Sequence, residues 1–382
     1  MIETAIILAG GKGERMMPLT ELQPKALVPI NGVPVLKLQI EQLIRNDVSK
    51  IIVLTGHLGD QIHKYVASLN LGTTVICIQS EPELNPAERL TQAHELFSGP
   101  YILLYCDNYI PQDSIVKQQL NTKSSVSLVL QKRKVGNILI NKNASAVYVS
   151  KERNSLHPYV ELGYIAINEK QFDNLITAYK DINSALEDFS KKNQVKFIDL
   201  TDSYQSLSNF SRYVKQKLHG KVIILDRDGV LNKKMEKRKY LTSFKELKYI
   251  EENLDIFSEL NKDGFSFIIA TNQPGIATGE IPELFLDELH KKMISDLRLK
   301  NIVILAFYVC KHHWDEACKC RKPMPGMLNE IIHDFKLENK ELYYIGDEDK
   351  DVIAAKAANI NSIKFSDNCI QNRNVVRSIF ND

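Results

Sequence analysis

Almost everything that would mark a membrane, nucleic-acid-binding or exported protein is missing from this chain. No apolar run approaches the roughly 20 residues that a membrane helix needs. Positive and negative side chains nearly cancel, with 49 Lys and Arg against 47 Asp and Glu, which argues against a nucleic-acid or membrane-surface partner. The apolar opening Thr4 to Ala9 is short and turns glycine-rich at once, unlike the core of a secretory leader. A cytoplasmic location is expected. There is no internal repeat or low-complexity stretch, and there are only one tryptophan and six cysteines. What remains is ordinary in kind: 44% hydrophobic and 25% charged residues over 382 positions, enough for two or three domains that each bury a core.

The most telling segment is Val222-Ile-Ile-Leu-Asp226-Arg-Asp228. A continuous apolar run stops at two carboxylates spaced i, i+2. Alternation along a strand lets both serve one mouth at its C-terminal end, where open α/β sheets bind ligands. Two anions so close call for a cation between them, and a magnesium site with one carboxylate free to attack accounts for the pair. A solvated turn after a strand is the bland alternative. Further along, Phe265 to Gln273 is a second apolar strand, ending in the hydroxyl of Thr271 and the amide of Asn272. Arg321-Lys322-Pro323 supplies fixed positive charge, and Leu342 to Asp351 is a further strand end with Asp347 and Asp351 four apart. In this order the four segments resemble the motifs of the haloacid dehalogenase-like phosphatases. The resemblance implies that Asp226 is the nucleophile forming an aspartyl-phosphate and Asp228 the general acid and then base. Thr271, Asn272 and Arg321 would hold phosphoryl oxygens, and Lys322 would offset charge on nucleophile and phosphate. Asp226, Asp228, Asp347 and Asp351 would form and orient the magnesium shell. Phosphoryl transfer fits such a set, being mainly positioning plus neutralisation of spread negative charge.

Three of the six cysteines fall between Cys310 and Cys320, directly before Arg321. Cys310, His312, Cys318 and Cys320 make a Cys₃His set, the donors of a closed structural zinc site. The competing reading is a disulfide, which the odd local cysteine number disfavours. His313 is the less suitable ligand beside the Cys-x-His spacing of His312. Such a loop would stiffen the approach to Lys322. Cys77, Cys106 and Cys369 read as small buried residues, and Trp314 as packing for the loop or a wall of the entrance. The zinc loop, the string Cys320-Arg-Lys-Pro-Met-Pro-Gly-Met327 and Thr271-Asn-Gln-Pro-Gly-Ile-Ala277 resemble the heptose 1,7-bisphosphate 7-phosphatases. Histidinol-phosphate phosphatases share the zinc loop and are the alternative. Thr278 and Glu348 stand where the heptose enzymes carry basic residues. The interval from Asp226 to Thr271 holds only a loop and a helix from Glu251 to Asp263, too little for a cap domain. The basic run Lys233 to Lys239 reads as a solvated loop before it reads as a grip on a remote phosphate.

The first half opens on Thr4-Ala-Ile-Ile-Leu8-Ala9-Gly10-Gly11-Lys-Gly13-Glu-Arg15, followed by Pro18-Leu-Thr20 and Pro24-Lys25. Glycines bring backbone N–H groups close to a phosphate chain, and Arg15 and Lys25 add positive charge. No G-K-[ST] follows, which excludes a P-loop. The whole string resembles the sugar-1-phosphate nucleotidylyltransferases. That resemblance implies nucleotide binding by Leu8, Ala9, Gly10, Gly11, Gly13, Arg15, Lys25 and Gln79. It also implies a metal on Asp107 at the end of the strand Tyr101 to Tyr105, a sugar-phosphate lysine near Lys151, and a sugar-binding strand from Glu161 to Ile167. Two departures matter. The family's L-G-T-A-G loop is replaced by Leu84-Asn-Pro-Ala-Glu-Arg89, and its second metal carboxylate aligns with Ser206, with Asp199 or Asp202 as substitutes.

The expected architecture is α/β with two domains. Residues 1–218 would form a nucleotidyltransferase-type, Rossmann-like domain with a mixed sheet. Residues 219–382 would form a capless haloacid dehalogenase-like Rossmannoid domain with a zinc loop. A helical pattern from Ser206 to Leu218 and the break at His219-Gly220 mark the boundary. The expected cofactors are Mg²⁺ and structural Zn²⁺, the expected partners a sugar phosphate and a nucleoside triphosphate, and self-association is left open. A phosphatase that frees a sugar 1-phosphate beside a transferase that consumes one implies a bifunctional enzyme making a nucleotide-activated heptose for surface polysaccharide. A phosphatase fronted by an inactive binding module is the alternative.

Overall fold

In the computed structural model the described residues are all but 98, 150–152, 154, 193–194, 202–203, 218–221, 237–238, 338–340 and 381–382. The chain divides into two compact units. The first comprises Met1–Met16, Pro24–Val28 and Pro34–Ser208; the second comprises Met17–Gln23, Pro29–Val33 and Asn209–Asp382. The boundary read between 218 and 219 lies outside the described residues.

Uncharged runs of Val, Ile and Leu form the centre of the first unit, as strands buried on both faces require. Its sheet contains β1 (Thr4–Ala9), β2 (Lys50–Thr55), β3 (Thr74–Gln79), β4 (Tyr101–Tyr105), β5 (Val126–Lys132), β6 (Ile138–Ile140), β7 (Ala146–Tyr148), β8 (Tyr159–Ile167) and β9 (Lys196–Asp199). The order β7-β6-β8-β4-β1-β2-β3, with β5 joining β8 to β9, is mixed. The strands β4, β1, β2 and β3 run parallel, whereas β8 runs antiparallel to both β4 and β5. In α1 (Val35–Arg45) the residues Val35, Leu36, Ile40 and Leu43 recur at helical spacing and are buried. Gln39 and Gln42 share that face and are buried with them. The end of this unit differs from the helical reading of Ser206 to Leu218. Gln205–Ser206 is a short strand paired with Asn108–Tyr109, and the helix begins only at Phe210. Backbone pairing to a neighbouring loop, invisible in the local pattern, decides it.

The second unit is built on five parallel strands: β10 (Val222–Leu225), β11 (Ser266–Asn272), β12 (Ile304–Cys310), β13 (Tyr343–Gly346) and β14 (Asn361–Lys364), in the order β12-β11-β10-β13-β14. Alternate residues Ile223, Leu225, Phe267 and Ile269 pack with Phe257 and Leu260 of the helix Glu251–Lys262, and with Leu289 and Met293 of the helix Glu283–Leu299. Their neighbours Ile224, Ile268 and Tyr344 are fully buried as well, so both faces are covered. Each such apolar side chain contributes about 1.5–3 kcal/mol. Chain order reverses around β10, and that switch point opens a crevice at the C-terminal strand ends. Among the described residues only loop, a 3₁₀ turn at Phe244–Glu246 and the helix Glu251–Lys262 lie between β10 and β11, so no cap domain is inserted there.

Candidate active sites

Asp226 follows β10 directly and is 5% exposed. Its Oδ1 accepts from the Arg227 N–H at 2.7 Å and lies 2.8 Å from Lys322 Nζ. That ammonium is fully buried, lies 3.0 Å from Asp351 Oδ1, and donates to the Ala270 carbonyl at 2.9 Å and the Tyr344 hydroxyl at 2.6 Å. Burial pushes Asp226 up to about 6 against the opposing pull of Lys322. Asp351 opens the helix Asp349–Ala357, where its Oδ2 accepts from the Glu348 N–H at 3.0 Å. One oxygen each of Asp226, Asp347 and Asp351 lie within 4.8 Å of one another. Asp347 Oδ2 meets Lys234 Nζ at 2.6 Å, while its Oδ1 is buried and has no hydrogen-bond partner. A carboxylate oxygen buried bare beside two other carboxylates fits a divalent cation. Gly229, at φ +89°, lets this happen, because a Cβ there would overlap the Asp347 carboxylate.

Asp228 stands apart from that trio. Its Oδ1 accepts from Asn232 Nδ2 at 2.8 Å, and its Oδ2 accepts from Gln273 Nε2 and Arg227 Nη2, each at 2.8 Å. Burial works to raise its pKa, but the Arg227 charge and these donors hold it below the usual carboxylate range. Gln273 also donates to Thr271 Oγ1 at 2.8 Å, a link that no sequence motif announced. Asn272 exchanges two 3.1 Å hydrogen bonds with the Lys322 backbone, which ties the end of β11 to the Arg-Lys-Pro turn. The cleft of about 430 Å³ over these groups is lined by Asp226, Asp228, Thr271, Arg321 and Lys322. Arg321 Nη1 is buried there without a hydrogen-bond partner. Glu348 pairs with Lys234 and Lys350, and Lys239 with Glu236. Lys237 and Arg238 of the basic run lie outside the described residues.

β12 ends at Cys310, and Cys310, His312, Cys318 and Cys320 bring their donor atoms within 4.8 Å of one another. The Cys310 and Cys318 sulfurs are 3.8 Å apart, and His312 Nδ1 is 3.1 Å from Cys320 Sγ. A tetrahedron with Zn–S bonds of about 2.3 Å has S···S edges of roughly 3.8 Å, so the cluster fits zinc. No S–S bond joins the three thiols. His313 turns away, its Nδ1 3.3 Å from Asp315 Oδ2 and its ring against Trp314, which is 53% exposed. Cys106 is buried as expected, whereas Cys77 and Cys369 are only partly so.

In the first unit the glycine loop after β1 and the end of β4 bound a cleft of about 570 Å³. Leu8, Gly10, Gly11, Gly13, Arg15, Lys25 and Asp107 line it together. Ala9 is buried beneath. Lys25 Nζ lies 2.7 Å from Asp107 Oδ2, and Asp107 Oδ1 is buried without a partner. Gln39 holds this turn by donating to the Tyr105 and Asn108 carbonyls at 3.0 and 2.8 Å. Ser206 pairs with Asn108, and Leu207 N donates to the Asp107 carbonyl at 2.7 Å, so a serine lies beside the expected metal aspartate. Asp199 is exposed at the end of β9, and Asp202 and Lys151 lie outside the described residues. Glu161 on β8 is half-buried, and loss of solvent raises it to about 7. Gln79 is not part of the cleft lining; it accepts from Thr55 Oγ1 and donates to the Gly56 carbonyl, each at 2.8 Å. Arg89, from the departing loop, is 4% exposed and donates to the Thr55 and Pro82 carbonyls at 2.9 Å. A Cβ on Gly10 or Gly56 would overlap its guanidinium. The sequence hid this, because an arginine in a short helix reads as surface.

The Nucleotidyl transferase family model matches residues 4–146, and the Polynucleotide kinase 3 phosphatase model matches residues 221–369. A D-glycero-beta-D-manno-heptose-1,7-bisphosphate 7-phosphatase of Pseudomonas putida is 34% identical over 137 residues, which covers 36% of this chain and 77% of that protein. The chain belongs to this phosphatase family through its C-terminal half. The histidine biosynthesis bifunctional protein HisB of Campylobacter jejuni is 28% identical over 147 residues, covering 38% of this chain but only 42% of its own length. A crystal structure of D,D-heptose 1.7-bisphosphate phosphatase from B. bronchiseptica, complexed with magnesium and phosphate, is 32% identical; the match covers 37% of this chain and 78% of that one, with a TM-score of 0.36. The chain is therefore an enzyme with an N-terminal nucleotidyltransferase domain and a C-terminal haloacid dehalogenase-like phosphatase domain. Among the described residues no helix is long and apolar enough to cross a membrane.

Proposed function

We propose that the chain is a bifunctional enzyme of sugar-nucleotide synthesis. Its phosphatase half removes the 7-phosphate of D-glycero-D-manno-heptose 1,7-bisphosphate, and its other half joins the resulting heptose 1-phosphate to a nucleotide. The observation that carries this reading is the joining of the two domains on one chain. Taking the distal phosphate from a sugar bisphosphate leaves a sugar 1-phosphate, the substrate class of the domain in front. Histidinol phosphate offers that domain nothing. The pair of reactions suits a cytoplasmic step toward surface polysaccharide.

In the phosphatase half Asp226 attacks the phosphorus in line while the bond to the sugar oxygen breaks. Asp228, ionised in the resting site, takes up a proton with the phosphate monoester, gives it to that oxygen, and later takes one from the water that cleaves the aspartyl-phosphate. Thr271 and the bare Arg321 Nη1 suit the phosphoryl oxygens, and Lys322 keeps two carboxylates from repelling the incoming anion. Asp226, Asp347 and Asp351 would hold magnesium, which supplies positive charge against carboxylates and phosphate when bound. Cys310, His312, Cys318 and Cys320 would hold zinc and brace the turn that carries Arg321 and Lys322. In the other half Arg15, Lys25 and the glycine-loop amides suit a triphosphate, and Asp107 with its bare Oδ1 suits a metal.

Two observations favour a second reading of the N-terminal half as a nucleotide-binding module without turnover. Ser206 stands beside Asp107 in place of a carboxylate, and Arg89 lies against Gly10 and Gly56. The test is incubation of the full chain with heptose 1,7-bisphosphate, magnesium and each nucleoside triphosphate in turn. Formation of a nucleotide-heptose that Asp107→Ala abolishes, with phosphate release unchanged, supports the bifunctional enzyme. Phosphate release with no nucleotide-sugar from any triphosphate supports the binding module.

A further inference from the structure

Behind the phosphatase site lies a buried pair that the chemistry above does not use. Arg227, between the two aspartates, is 2% exposed. Its Nε and Nη2 grip Asp228 at 3.2 and 2.8 Å, and its Nη1 reaches the other way to His290 Nε2 at 3.2 Å. His290 sits mid-helix in Glu283–Leu299, on the buried face with Leu286, Leu289 and Met293, and is itself 2% exposed. Its ring stacks on Phe307, with centroids 4.0 Å apart and planes 13° from parallel. The site thus has a rigid chain running from the phenyl ring through imidazole and guanidinium to the Asp228 carboxylate.

The chemistry of this chain is one-directional. A guanidinium N–H only donates, so His290 Nε2 must accept, and the ring must be neutral with its proton on Nδ1. Burial, aided by the Arg227 and Lys311 charges, pulls His290 well below its ordinary pKa, which keeps that form in place. A leucine would fill the same space on an apolar helix face. What histidine adds is an acceptor fixed in plane, and the cation it hydrogen-bonds is the one that grips Asp228.

We propose that His290 is a positioning residue for the general acid: by fixing the plane of the Arg227 guanidinium it fixes the orientation of the Asp228 carboxylate toward the leaving oxygen. This rests on the phosphatase reading. It goes beyond it in assigning a role to a residue remote from the substrate. Without the acceptor Arg227 keeps its charge but loses its third anchor, and Asp228 turns with it.

The test compares leaving groups in the full chain with magnesium. An alkyl phosphate needs a proton from Asp228 as the bond breaks, whereas 4-nitrophenyl phosphate leaves as a stable phenolate and needs little help. The alkyl substrate is whichever of heptose 1,7-bisphosphate and histidinol phosphate the unsubstituted enzyme turns over faster. His290→Leu should lower kcat/KM on it by about 30-fold, a part of the roughly 10²–10⁴-fold that a positioned general acid contributes, and on 4-nitrophenyl phosphate by less than about threefold. His290→Gln, which keeps an acceptor near the Nε2 position, should recover most of the loss. If His290→Leu does not fold, Phe307→Leu leaves the acceptor but frees its plane, and should show the same selective loss at smaller size. Equal losses on both substrates, or none on either, overturn the proposal. An unsubstituted enzyme that hydrolyses neither substrate refutes the phosphatase reading instead.

Discussion

Lys322 is where the phosphatase site is both held together and made reactive, and its replacement by methionine tests the two roles at once. The ammonium is fully buried, 2.8 Å from Asp226 and 3.0 Å from Asp351, whose side chains are 7% and 1% exposed. Methionine has similar reach without charge, so the variant keeps its packing and leaves two buried carboxylates facing each other. Removing one partner of a buried ion pair costs about 3–5 kcal/mol. The Tyr344 hydroxyl has one proton to share between Asp351 at 3.1 Å and the Ala270 carbonyl at 3.3 Å, so it replaces the lysine only in part. A drop of that size is a large share of the roughly 5–15 kcal/mol of a typical domain, and corresponds to roughly 6–20 °C in melting temperature. Urea unfolding without added magnesium, which leaves zinc in the loop around the single tryptophan, Trp314, reads this unit by emission. Added magnesium should restore more stability to Lys322→Met than it adds to the unsubstituted chain, because the metal then supplies the missing positive charge. Phosphatase activity should fall by more than about a hundredfold. A variant within about 1 kcal/mol of the parent without metal would show that the lysine does not hold the carboxylates together.

Other substitutions probe the remaining claims. Cys318→Ser should take bound zinc from about one ion per chain to none and lower the melting temperature; metal analysis that finds no zinc in the parent contradicts the cluster assignment. Gly229→Ala forces a Cβ into the Asp347 carboxylate at a positive φ, and should lower phosphatase turnover at least about tenfold, given strain on the order of 1–3 kcal/mol. Arg89→Leu leaves the Pro82 carbonyl without its donor, while the Thr55 carbonyl keeps Ser80 N and Oγ at 3.2 and 2.7 Å, and should destabilise the first unit by about 1–3 kcal/mol. Calorimetry that finds no change would mean water replaces the guanidinium freely.

The parts of the fold that were legible are those where local pattern and global packing coincide. Val222 to Leu225 and Phe267 to Thr271 are uncharged runs because both sheet faces are covered, and they stop where the crevice begins. The cluster from Cys310 to Cys320 was legible because its four donor residues sit close in sequence. Ser206 was read into a helix, since the pairing that makes it a strand comes from Asn108, far away in the chain. Gln39 and His290 escaped notice for a different reason. On their own helices they are polar residues on largely apolar faces, and only the partners (Tyr105 and Asn108 for one, Arg227 for the other) give them a task. Nothing in the pattern from Met17 to Val33 shows that two of its segments group with the second unit.

The central claim is that the two domains act on one sugar in succession. Its most direct test is phosphate release, with magnesium, from both anomers of heptose 1,7-bisphosphate beside histidinol phosphate. A strong preference for one heptose anomer is the expected result, and names the sugar 1-phosphate to offer the transferase. Preference for histidinol phosphate, or for none of the three, would contradict the account and leave the N-terminal domain without a shared substrate.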